Sequence, residues 1–215
     1  MPLIALLTTQ CALAGTAPDP TTPPEAPVQV CTARDLPLRI NDTTGKTLEL
    51  LRAFDLAPRQ FQYTLQLIEE QDGIKVYRLV FPSPYNSPFP VNNVVPAEYY
   101  LPEEIHGRIP AAVVLDILHG NAVVPRGFAR AMAAQGMAAI YMPMAYYNGR
   151  RPADRADLRF LDADPNRATQ PGMQSVMDIR RAKAILAART EIDPSRIGIS
   201  GVSLGGIMTA MAAGN

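Results

Sequence analysis

Ser203 stands in Gly201-Val-Ser-Leu-Gly205, where residue types and spacing could support covalent chemistry. A serine hydroxyl is a weak nucleophile unless its backbone presents it and a base takes its proton. The flanking residues do the presenting. Ile197 and Ile199 alternate with small residues as in a buried strand, and Ile207 to Ala213 reads as a helix. A strand turning sharply into a helix strains the backbone at the serine, and side chains two residues to either side would collide with the crossing chain. Glycine at 201 and 205 removes both collisions, and Gly206 lets the helix pack close to the strand. The Leu204 amide, in the first turn, then points into the same space as the hydroxyl, where the positive end of the helix favours an oxyanion. The competing reading is a glycine-rich turn with an incidental serine, and the strand before and helix after weigh against it.

The run Asp193-Pro-Ser-Arg-Ile-Gly-Ile-Ser-Gly-Val-Ser-Leu-Gly-Gly206 resembles the nucleophile-elbow region of α/β-hydrolases. The nearest likeness is to esterases of the dienelactone-hydrolase and acetyl-xylan-esterase type and to prolyl-oligopeptidase-like peptidases. A second short motif, His119-Gly120-Asn121, follows the apolar run Ile109 to Leu118. The resemblance implies an α/β-hydrolase fold, a mostly parallel sheet with helices on both faces, of which this chain holds the N-terminal portion. It implies Ser203 as nucleophile, with the amides of Leu204 and of Asn121, or a residue beside it, as the oxyanion hole. His119 and Gly120 would shape the loop that carries the second amide. The family's chain order of nucleophile, acid, histidine argues against His119 as the base. Residues 204–215 contain neither an acid nor a histidine, so on this reading the C-terminal part, with both triad partners, is missing. The expected activity is that of a serine carboxylic ester hydrolase acting on a small-molecule or carbohydrate ester. A prolyl-oligopeptidase-like peptidase and a non-catalytic binding module of the same fold are the alternatives.

Composition narrows the field. Lys and Arg total 20, Asp and Glu 20, for zero formal charge; with no basic run interleaved with aromatics, a nucleic-acid partner is not expected. The histidines, His106 and His119, and the cysteines, Cys11 and Cys31, show no metal-ligand spacing. Gly201 to Gly206 has neither the Lys-Ser/Thr ending of a phosphate loop nor a dinucleotide G-x-G-x-x-G, so no cofactor is expected. No run is long enough for a membrane-spanning helix. Met1 to Leu7 is apolar and continues to Ala12-Leu-Ala14, like a secretory signal without its positive start. Export to the periplasm or beyond is expected, with a cytoplasmic location as the alternative. Cleavage after Ala14 would leave Cys31 unpaired, so no disulfide is invoked.

The expected organisation is a signal-like segment over 1–14, a Pro-rich linker and extension over 15–60, and the hydrolase domain over 61–215. Lys46 to Leu56 could form a short helix. Phe61 to Leu67 and Ile74 to Phe81 read as a hairpin across Gln71-Asp-Gly73, and Val94 to Leu101 as a further strand. His106 falls in a polar turn and should be exposed and inert. Ile109 to Leu118 reads as a strand covered on both faces, and Asp116 within it needs a partner if buried. A helix over Phe128 to Gln135 closed by Gly136, a strand over Met137 to Met144 and a helix over Met173 to Arg189 complete the alternation. The long connection Tyr146 to Gly172 reads as a solvated excursion or as a rim over the pocket, contributing little to a core.

Overall fold

Local pairing builds the first half of the molecule. The computed structural model describes residues 11–14, 26–37, 54, 57–162 and 164–213. In it β1 (Cys11–Ala14), β2 (Val28–Arg34), β3 (Gln60–Gln71), β4 (Ile74–Pro82) and β5 (Val94–Pro102) pair antiparallel in sequence order. Asp72 and Gly73, both at positive φ, form the tight turn between β3 and β4 that matches strand twist. Alternation then decides the faces: Phe61, Tyr63 and Leu65 of β3 are buried while Gln60 and Gln62 are exposed.

The second half is wound through helices. β6 (Ile109–Leu115), β7 (Ala138–Met142) and β8 (Ile192–Gly201) complete an eight-stranded mixed sheet of order β1-β2-β3-β4-β5-β7-β6-β8. β7 runs antiparallel to β5 but parallel to β6, and β8 is parallel to β6. Parallel pairing thus begins at β6, whose continuous apolar run requires cover on both faces. α1 (Val123–Ala134) supplies it on one side, where Ala129 and Ala133 pack with Val114 and Tyr141. On the other lie α2 (Pro165–Ala188) and α3 (Leu204–Ala213), whose Val176, Ile179, Leu204 and Met208 join Val113 and Leu115. This is the α/β-hydrolase fold in its N-terminal portion, with an antiparallel arm larger than expected.

Several boundaries move. α1 starts five residues before Phe128 because Pro125 falls in its first turn, where an amide has no intrahelical acceptor to lose. α2 starts at Pro165, so Pro171 and Gly172 lie inside a helix rather than before one. The connection ahead of it is no mere excursion: Tyr146, Tyr147 and Phe160 are buried in the core. The linker reading fails over β2, where Cys31 and Ala33 are core residues. Just beyond it, the Arg181 Nε of α2 donates to Asp35 Oδ1 at 2.8 Å. Cys31 is also disulfide-bonded, where no disulfide is expected once cleavage after Ala14 removes Cys11. Cys11 is the chain's other cysteine, and the β1–β2 register sets it opposite Cys31. The expected helix over Lys46 to Leu56 falls, apart from Phe54, outside the described residues, as do residues 1–10 of the signal-like segment.

Candidate active site

The winding reverses at β6. α1 carries the chain from β6 to β7 on one side, and α2 carries it from β7 across to β8 on the other. At such a reversal the loops after neighbouring strands diverge and leave a crevice at the carboxyl ends. The segments 117–121 after β6 and 202–204 after β8 both leave from that edge.

Ser203 sits between β8 and α3 at φ 56°, a left-handed conformation uncommon for a residue with a side chain, and it is exposed. A Cβ on Gly201 would fall 2.5 Å from the Gly205 carbonyl carbon, and one on Gly205 would fall 2.6 Å from the Asp116 carbonyl oxygen. The end of β8, the start of α3 and the end of β6 are therefore in backbone contact, which only glycine permits. Gly206 is less tight, its Cβ position lying 3.3 Å from the Gly201 oxygen. Leu204 is buried and opens α3, where first-turn amides have no intrahelical acceptor.

Leu118 to Gly120 form one 3-10 turn in which His119 and Gly120 both have left-handed φ, 71° and 70°. The Gly120 N–H donates to the Ile117 carbonyl at 3.1 Å and the His119 N–H to the Tyr147 hydroxyl at 3.3 Å. The Asn121 side chain accepts from the Val123 N–H at 3.0 Å, just ahead of α1. The His119 side chain is exposed, as is His106.

Beneath this loop Asp116 is fully buried. Tyr141 Oη donates to its Oδ1 at 2.9 Å, and Asn148 Nδ2 donates to its Oδ2 at 3.1 Å and to Tyr141 Oη at 2.9 Å. Burial dominates and pushes the carboxyl up to about 6, against the hydrogen bonds from Tyr141, the Met144 backbone and Asn148. Tyr141, Tyr147 and Asn148 escaped the sequence reading because they form no motif. The usable signal was Asp116 itself, a carboxylate in an apolar strand that must find donors.

A consequence for stability follows. The folded value of Asp116 lies above the unfolded one of about 3.9. Its contribution is therefore fully present below pH 4 and is lost as pH rises through about 6. The loss should be at most about 3 kcal/mol. Urea unfolding between pH 4 and 7 should show wild type losing stability relative to Asp116→Asn; parallel curves would contradict this.

Among the described residues no group of three or more His, Cys, Asp or Glu is placed to hold a metal ion, and no helix is long and apolar enough to cross a membrane. The chain is similar in structure to an acetyl xylan esterase from Paenibacillus sp. R4, with TM-score 0.59 and 22% identity, covering 82% of this chain and 57% of that one. It is also similar to acetyl xylan esterase 1 from Thermoanaerobacterium sp. JW/SL YS485, with TM-score 0.57 and 18% identity, covering 78% and 53%. It thus spans little more than half the length of either. No curated protein matches it in sequence. The family described as alpha/beta hydrolase domain containing 18 matches residues 39–215, and the chain belongs to that family of α/β-hydrolases.

Proposed function

We propose that the protein containing this chain is a serine hydrolase that cleaves carboxylic esters, with Ser203 as its nucleophile. The observation that carries the reading is the exposed, left-handed Ser203, fixed by backbone contacts at Gly201 and Gly205 on the edge of the sheet where the loop after β6 also ends. Ser203 Oγ attacks the ester carbonyl carbon, its proton passing to a base, and the carbonyl electron pair moves onto oxygen. The Leu204 and Asn121 N–H groups hold that oxyanion. Collapse expels the alcohol and leaves an acyl-serine, which water hydrolyses by the same steps. The scheme also needs a base and an acid, and neither role is assigned to a residue of this chain. The acetyl xylan esterases among the similar structures favour a small acyl group on a carbohydrate as the substrate class. Export is part of the proposal, on the apolar run Met1 to Leu7 and its continuation to Ala12-Leu-Ala14.

The test uses the full-length protein and a fluorophosphonate probe. Peptide mass spectrometry should place the adduct on Ser203, and Ser203→Ala should remove it while lowering aryl acetate hydrolysis by on the order of 10³-fold or more. An absent adduct on well-folded protein would leave a non-catalytic module. Preference for a prolyl anilide over the aryl acetate would turn the assignment to a peptidase.

A further inference from the structure

We infer that the Tyr147-Asn148 turn after β7 is the positioning element of the 117–121 loop, selecting which of its amides faces a substrate oxygen. The inference rests on the reading of Ser203 and Asn121 as an acyl-transfer site.

Two consecutive left-handed residues, His119 and Gly120, persist only where surroundings over-determine them. Within the loop itself the path is held by its own 3-10 turn, including the bond from Gly120 N–H to the Ile117 carbonyl. The other restraints come from one turn of the neighbouring strand. The Tyr147 hydroxyl accepts the His119 N–H, and the Tyr147 Cβ and Cγ lie 3.0 Å from where a side chain on Gly120 would begin. Asn148 holds the carboxylate of Asp116, where the loop departs from β6. With the His119 and Gly120 amides engaged, Asn121 follows with φ −75° and ψ 105° at the end of the turn.

The brace is itself fixed from behind. Arg150, wholly buried, donates to the Pro143 carbonyl at 2.9 Å, the Asn92 carbonyl at 2.8 Å and Asp178 Oδ2 at 2.7 Å. The Tyr146 N–H donates to Asn92 Oδ1 at 3.1 Å. Tyr147 and Asn148 therefore act through the loop and touch no reacting atom, which makes them positioning residues.

Tyr147→Phe deletes the acceptor for the His119 amide but keeps the ring on Gly120, and Asn148→Ala deletes the bonds to Asp116 and Tyr141. In the full-length protein, amide exchange in a peptide spanning 117–122 should quicken on the order of 10-fold in each variant, while β3 and β4 keep wild-type protection. With an aryl acetate, kcat should fall on the order of 10-fold to 100-fold and KM stay within about twofold. Unchanged exchange at 117–122 in both variants would overturn the inference. So would a kcat loss matched by an equal loss of folded protein or by a rise in KM. Ser203→Ala belongs in the same series: turnover surviving it would sink the assignment of the site, while the exchange data would still judge the brace.

Discussion

Gly205→Ala should leave less than about 1% of ester hydrolysis in the full-length protein, the scale of loss that follows from displacing reacting groups by about 1 Å. The new methyl would meet the Asp116 carbonyl oxygen at 2.6 Å, the Leu115 carbonyl oxygen at 3.2 Å and the Leu115 Cβ at 3.3 Å. None of these is the far end of a flexible side chain, so α3 must lift from β6 and take Ser203 and the Leu204 amide with it. Overpacking of this kind costs about 1–3 kcal/mol, so most of the protein should remain folded while activity is lost. Gly206→Ala, facing the Gly201 oxygen at 3.3 Å, is the graded control and should lose less of both. Steady-state kinetics beside urea unfolding would check the order. A Gly205→Ala enzyme within tenfold of wild type would mean that backbone contact does not set the serine.

The largest stability effect belongs to Arg150→Met, at about 3–5 kcal/mol, because it strands Asp178 as an unpaired buried carboxyl. Burial already raises the Asp178 pKa, with Arg150 the main opposing influence, and removing Arg150 raises it further. Protonation then relieves the stranded group, so the deficit should shrink as pH falls and widen as pH rises through the raised value. Adding Asp178→Leu should recover roughly half of the loss or more, the remainder reflecting the Asn92 and Pro143 carbonyls left without their donor. Chemical denaturation of the four proteins in the cycle measures this. Simple additivity would mean that the two side chains are not coupled.

The sequence was most legible where a local rule decides structure. The 71–73 turn, the alternation of β3 and the glycine closing α1 depend on a few neighbouring residues, and each lies where the pattern puts it. Legibility failed where a distant partner decides. Val28 to Arg34 follows a proline-rich stretch that reads as linker, and it becomes a core strand because β3 and α2 receive it through Cys31, Ala33 and Asp35. Arg150 lies in the connection that reads from sequence as a solvated excursion or a pocket rim. Its actual partner is Asp178, inside the helix expected over Met173 to Arg189, and no local spacing links the two. The same holds at the site: Ser203 and His119-Gly120 announced themselves by motif, but Tyr147 and Asn148 matter through contacts that spacing does not encode.

The route of the chain through the sheet also governs when its parts can exist. Strands β3 to β5 pair with their sequence neighbours across short connections, so this arm can form early from contacts near in sequence. β8 reaches β6 only after some eighty intervening residues have folded over the sheet, a far costlier closure. The Asp116–Gly205 contact that seats the serine belongs to that late event. On the proposed reading the nucleophile would belong to the portion whose closure costs most, and a partly folded chain would carry the platform without a seated Ser203.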